Sequence, residues 1–233
     1  MTLCPDPATA FLQLALEEKY SYRFKWLGRP IIQLPQDIVQ FQEIVISTRP
    51  SLIIETGIAH GGSLLLSASL LCLLDIMDGV DPQKSDRKVV GIDIDIRPQN
   101  LEEIDKHPLR FKMELISGSS IDRAVVEKVQ CLASVSRSTL VALDSNHTHS
   151  HVLAELDAYA ELVTVGSYCI VFDTIIEDLP IGSFPDRPWD VGNNPKTAVH
   201  EWLRSHSEFE IDRSIDSKLL VSVAPNGYLR RVT

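Results

Sequence analysis

Between residues 51 and 173, five short apolar runs recur, the first four each followed by a segment with helical periodicity. No other feature constrains the fold as much. The runs are 51–55 (SLIIE), 88–93 (KVVGID), 113–117 (MELIS), 139–143 (TLVAL) and 168–172 (YCIVF). Runs this apolar read as strands buried on both faces. The segments between them predict helices over 61–77, 100–106, 121–133 and 150–163. Such an alternation builds a parallel sheet covered by helices on both sides. A chain of 233 residues, 44% hydrophobic, is long enough to close one sizeable core, burying roughly 70% of the surface of the unfolded chain.

The flanking segments are less regular. An amphipathic helix is expected over 6–19, then an aromatic arm, YSYRFKW, with Pro30 and Pro35 leading into a helix over 36–47. Residues 1–48 are therefore read as a helical arm or cap on a domain spanning 49–233. Past Asp173, residues 174–194 hold Pro180, Pro185 and Pro188 and look like a functional loop, either a lid or simply solvated. Pro195 opens a helix over 196–205. The tail predicts late strands in FEIDRSI and KLLVSV, with Asn226-Gly227 as the turn before the last run.

Thirty-two acidic against 22 basic residues give a net charge of −10. That field argues against a nucleic-acid partner or an anionic membrane surface. No apolar run reaches the length of a membrane span, and the N-terminus lacks the basic region of a signal peptide. Cys4, Cys72, Cys131 and Cys169 form no C-x-x-C pair. Cys72 and Cys169 lie in apolar runs and read as core thiols. A cytoplasmic setting is expected.

Four of the five strands end in or just before an acid: Glu55, Asp93, Asp144 and Asp173. Ligands of open α/β sheets bind at the carboxyl ends of strands. After the first strand comes Glu55-Thr-Gly57-Ile-Ala-His60-Gly61-Gly62-Ser63. Its glycines admit close backbone approach, and a helix start offers free N–H groups. The spacing is not G-x-G-x-x-G, and the acid before it suits a cationic ligand such as S-adenosylmethionine. A plain tight turn is the alternative. Asp93 suits the two hydroxyls of a ribose, in either a nicotinamide or an S-adenosylmethionine site. Ser119 and Ser120 fit beside an adenine edge, or one of them caps the following helix. Asp144 and Asp173, on adjacent parallel strands, offer hard oxygens suited to Mg²⁺. His147 lies at the lip of the same site as a candidate base. His149 and His151 are read as structural or solvated, with a transition-metal site as the other option.

Together these motifs resemble the class I S-adenosylmethionine-dependent methyltransferases. More closely, YSYRFKWLGRPIIQLPQDIVQFQEI, IIETGIAHGGSLLLSAS, DSNHTHSHVLAELDAYAELVTVGSY and SVAPNGYLRRV resemble the cephalosporin hydroxylase/rhamnosyl O-methyltransferase family over residues 20–233. The resemblance implies an α/β, Rossmann-like methyltransferase fold with a seven-stranded, mostly parallel sheet. It implies methyl transfer to a hydroxyl of a sugar, glycan or secondary metabolite. Glu55, Gly57, His60, Gly61, Gly62, Ser63, Asp93, Ser119, Ser120 and Asp144 would bind the cofactor. Asp144, Asp173 and Thr174 would hold Mg²⁺ or another divalent cation, with Asp144 and His147 catalytic. The plan is also similar to catechol O-methyltransferase, with His147 at that enzyme's lysine position and Thr174 at its asparagine position. Phe172 stands where some relatives carry a ligating Glu, so Glu177 or Asp178 is the candidate to complete the metal shell. Glu177, Asp178, Arg187 and Trp189 are the expected acceptor contacts, with Phe184 closing the lid and Asp186 and Asp190 reaching sugar hydroxyls. The arm over 20–26 either covers the site or joins copies into a homo-oligomer. Two further readings compete. One is a Zn or Fe hydrolase or oxygenase built on Asp144, His147, His149 and Asp173. The other is a non-catalytic partner that binds S-adenosylmethionine.

Overall fold

The computed structural model describes residues 7–233, so Cys4 and the first residue of the predicted 6–19 helix lie outside the described residues. Helix α1 (Pro7–Glu17) buries none of its side chains. The arm is more ordered than its composition suggests. Strands β1 (Phe24–Trp26) and β2 (Arg29–Ile31) pair antiparallel across a Leu27-Gly28 turn with φ of 45° and 88°. Two successive positive-φ residues match the right-handed twist of a tight hairpin. Three-residue strands, one of them holding Pro30, leave no period to detect.

Helix α2 (Pro35–Thr48) starts on Pro35 and buries Phe41, Ile44 and Val45 in the core shared with the sheet. The sheet strands follow as β3 (Leu52–Thr56), β4 (Lys88–Asp93), β5 (Met113–Ser117), β6 (Thr139–Leu143) and β7 (Tyr168–Val171). Between them run α3 (Gly62–Met77), α4 (Pro98–Asp105), α5 (Arg123–Ser134) and α6 (His149–Tyr159). Beyond β7 come α7 (Pro195–Trp202), β8 (Phe209–Ile211), α8 (Arg213–Leu219) and β9 (Tyr228–Arg231). The seven-stranded sheet has the order β5-β4-β3-β6-β7-β9-β8. Its first five strands are parallel, and β9 runs antiparallel between β7 and β8. Strand order reverses between β3 and β6, the switch point where such sheets open a binding crevice.

Alternate β3 residues feed opposite layers. Ile53 packs with α2 and α3, whereas Leu52 and Ile54 pack with the α5, α6 and α7 side. The apolar helix α3 carries one buried acid, Asp75, paired with Lys112 at 2.5 Å and Arg87 at 2.7 Å. Among the described residues, no helix is long and apolar enough to cross a membrane.

Two expectations for the tail are corrected. Residues 213–219 form a helix, capped where the Asp212 carboxylate accepts from the Ser214 N–H at 3.1 Å. Residues 220–223 join no ladder, because Val223 donates its N–H to Asp37 Oδ2 on α2 at 3.0 Å instead. The expected serine cap before α5 is also corrected. Asp122 occupies that position, while the Ser119 carbonyl accepts from the Asp122 N–H and Ser120 faces α6.

Candidate active site

Parallel topology brings Glu55, Asp93, Asp144 and Asp173 to one edge of the sheet. The turn after β3 is built to let a backbone come close. Gly57, at φ 89°, has no room for a side chain, since a Cβ there would collide with the Asp144 carbonyl. Asp144 in turn donates its N–H to the Thr56 carbonyl at 3.0 Å. The β3 turn and the end of β6 are therefore locked together. Gly62 lies equally close under the Pro30 carbonyl of the hairpin, which seats the arm on the start of α3.

The carboxylate of Asp93 accepts from the Ile58 N–H at 2.8 Å and the Ala59 N–H at 3.2 Å, and from the Asp95 N–H at 2.9 Å. It both shapes the turn and remains at its edge. Arg29 donates to the His60 carbonyl at 2.9 Å and to Asn100, whose own amide donates to the Ala59 carbonyl at 2.7 Å. Arg29 and Asn100 brace the turn from outside the motif, and no local pattern announces them.

Glu55 is buried between two small neighbours, Gly91 on β4 and Ala142 on β6. Burial pushes its carboxyl up to about 7, against hydrogen bonds from the Ser67 and Ser63 side chains. Asp144 is also raised well above the usual carboxylate range, by burial first and then by the charges of Asp173, Glu55 and Glu155. This crowding of negative charge invites a cation.

Ligand atoms of Asp144, His147 and Asp173 all lie within 4.8 Å of one another. His147 Nε2 stands 3.1 Å from Asp173 Oδ2. Asp173 holds a left-handed conformation, φ 55°, where β7 gives way to a 3₁₀ turn over Thr174–Asp178. A non-glycine residue held there is strained, and such strain concentrates at functional sites. The Trp189 ring stands edge-on to His147, centroids 4.7 Å apart, and Arg187 lies over Trp189 at 5.3 Å. The loop thus reaches the cluster.

Other expected contacts are engaged elsewhere. Thr174 is buried and its hydroxyl donates to the Pro225 carbonyl at 2.8 Å, so it anchors the β9 turn rather than the metal cluster. Glu177 accepts from the Gly192 N–H at 2.7 Å and from Asn194 Nδ2, and Asp178 takes the Lys196 ammonium at 2.5 Å. Asp190 accepts from Gly182 N–H and Val191 N–H. These three acids hold the loop in place, and none of them joins the Asp144–His147–Asp173 cluster. His149 bonds Thr197 and Glu201 on α7. Ser120 meets His151 Nε2 at 3.0 Å, and the same ring nitrogen lies 3.2 Å from Ser145 Oγ. Ser145 also donates to the fully buried Glu155 at 2.6 Å. This polar network under the end of β5 escaped sequence reasoning, because Ser145, His151 and Glu155 look like ordinary helix-entry residues.

Likeness to known proteins agrees with this geometry. The rhamnosyl O-methyltransferase of Mycobacterium leprae is 28% identical over 208 residues, 88% of this chain and 82% of its own length. A CmcI structure with magnesium and S-adenosylmethionine superposes with a TM-score of 0.58 at 21% identity, over 91% of this chain and 78% of that chain. The O-methyltransferase TomG of Streptomyces achromogenes, from tomaymycin synthesis, gives 0.55 at 13% identity, over 100% and 93%. These two structures share the fold. Residues 18–232 match the family model described as rhamnosyl O-methyltransferase/CmcI, and the chain belongs to that family, whose reaction is S-adenosylmethionine-dependent O-methylation.

Proposed function

We propose that this chain transfers the sulfonium methyl of S-adenosylmethionine to a hydroxyl of a saccharide or natural-product acceptor, using a divalent cation held by Asp144 and Asp173. The observation that carries it is the Asp144–His147–Asp173 cluster beside the glycine turn at the switch point of the sheet. Two carboxylate oxygens suit Mg²⁺, which takes waters and substrate oxygens for the rest of its shell. When bound, the cation lowers the pKa of the acceptor hydroxyl and the sulfonium supplies the methyl.

The chain's own residues do the rest. Glu55 and the Gly57 turn take the cationic amino-acid end of the cofactor, and Asp93 takes the ribose. Ser119 takes the adenine edge, backed by Ser120 through its bond to His151. Asp173 holds His147 by one ring nitrogen, fixing the ring's orientation for proton removal from the acceptor. Trp189 covers that ring, and with Arg187 forms the acceptor wall, excluding water. Positioning contributes much of the rate, since charge is neutralised as the methyl moves. A rhamnosyl acceptor is the natural first substrate to try, from the name of the mycobacterial relative. The thiols of Cys72, Cys131 and Cys169 are unpaired in disulfides, in keeping with a cytoplasmic setting.

A second reading of His147 rests on its ring nitrogen lying among the three ligand atoms: it would be the third metal ligand. The two roles separate cleanly. His147→Ala that keeps Mg²⁺ affinity but loses methyl transfer supports the base. Loss of metal affinity supports the ligand.

The test of the function is calorimetric titration with S-adenosylmethionine and S-adenosylhomocysteine, in Mg²⁺ and in EDTA, on wild type and Asp93→Asn. Micromolar binding that weakens in the variant supports the reading, followed by detection of a methylated rhamnoside by mass spectrometry. No binding of either nucleoside in either buffer overturns it.

A further inference from the structure

Between β2 and α2, Gln33 is only 5% exposed, and its side-chain Oε1 is buried without a hydrogen-bond partner among the described residues. The same residue lines a cavity of about 10 Å³ behind the glycine turn, shared with Phe41, Glu55, Gly57, Ser63 and Asp144. That is room for about one water-sized group. Buried acceptors without donors are destabilising, and those that native proteins retain call for an explanation in function or an unseen partner.

The chemistry of the lining defines the missing group. Gln33 Oε1 and the ionised carboxylates of Glu55 and Asp144 are acceptors, and among the described residues no basic side chain lines the cavity. Ser67 and Ser63 bond Glu55, but among the described residues no donor reaches Gln33 Oε1. A small group that is positively charged and carries several N–H donors answers all of this. An alkylammonium has three such donors and the right size. A sulfonium has charge but no donor, and a hydroxyl has one donor and no charge.

We infer that Gln33, supplied by the arm rather than by the sheet, accepts a hydrogen bond from the ammonium of the methionyl part of S-adenosylmethionine. This rests on the cofactor reading above. The arm then has a binding role. The hairpin seated over Gly62 and braced through Arg29 on the His60 carbonyl carries the acceptor into the back wall of the site.

The test compares three ligands by calorimetry: S-adenosylhomocysteine, its analogue with the α-amino group replaced by hydrogen, and methylthioadenosine, which lacks the amino acid altogether. Gln33→Leu is expected to weaken S-adenosylhomocysteine by about tenfold or more, as befits a hydrogen bond to a charged group. It should leave methylthioadenosine within about twofold. If Gln33 only supports the fold, the variant melts lower and weakens all three ligands together, which overturns the inference. The wild-type protein gives a second measurement that does not depend on any variant folding. It should bind the deaminated analogue about tenfold or more weaker than S-adenosylhomocysteine, and equal affinity overturns the inference. Wild type that binds none of the three overturns the cofactor reading itself. Wild type that binds S-adenosylhomocysteine tightly, with Gln33→Leu unchanged, overturns the role of Gln33 alone.

Discussion

Glu55 shows how a single side chain carries both stability and binding. Its carboxyl titrates near 4.5 when exposed and about 7 in the folded chain, because burial disfavours the charge. Between those values the folded state binds more protons than the unfolded one, so stability falls as pH rises through this window. The shift corresponds to about 3 kcal/mol at most, reached above pH 7. Asp144 adds a fall of the same sign. The contribution of Glu55 is therefore the difference between wild type and Glu55→Gln. We expect Glu55→Gln to match wild type in urea melts near pH 4 and to exceed it at pH 8. Parallel stability curves would show that Glu55 does not titrate in this window. The acid before the first glycine was legible as a ligand residue from sequence. Its elevated pKa was not, because that depends on Gly91 and Ala142 leaving it between two strands with no counter-ion among the described residues.

Helices and loops separate what local pattern encodes from what contact imposes. The five central strands were legible because each is a predominantly apolar run, and a parallel order then places their acidic ends on one edge. The hairpin over 24–31 and helix α8 were not, since three-residue strands and a seven-residue helix carry too little period. Helix α2 is held by Asp37, which is fully buried and accepts from Ser222 Oγ at 2.6 Å, Tyr228 OH at 2.9 Å and the Val223 N–H. Asp37→Ala strands three donors at once. It should lower the unfolding free energy by about 2–4 kcal/mol, seen as a lower urea midpoint at unchanged slope, with Asp37→Asn losing less. The loop before α7 makes the opposite kind of prediction. Glu177 ties Gly192 and Asn194 to the start of that loop, so Glu177→Ala should loosen Trp189 over His147. The acceptor KM should rise about five- to tenfold, as for loss of one or two net hydrogen bonds, with S-adenosylhomocysteine affinity unchanged. A change in nucleoside affinity instead would place the loop over the cofactor.

At the scale of the whole molecule, the sheet concentrates negative charge where a net charge of −10 already makes cations welcome. Asp144 and Asp173 repel each other across the ends of β6 and β7, and Glu55 and Glu155 add to the strain on Asp144. Fold and site are therefore in tension without a cation, and a cation relieves it. A ligand that binds only the folded chain stabilises it by about 2.7 kcal/mol at one hundred times its dissociation constant. In a chain of this length that corresponds to a rise of about 5–10 °C in melting temperature. We expect Mg²⁺ or Mn²⁺ to produce such a rise, EDTA to reverse it, and Asp173→Asn to abolish it. The same substitution should raise the melting temperature of the metal-free protein, since it removes one of the repelling charges. His147→Ala should keep the metal-induced rise if the imidazole serves as the base, and lose it if the ring nitrogen is a ligand. A wild type whose melting temperature ignores millimolar metal would remove the divalent cation from the mechanism. Glu55 and the Gln33 cavity would still provide for the ammonium of the cofactor, because that site depends on the arm and the glycine turn rather than on Asp173.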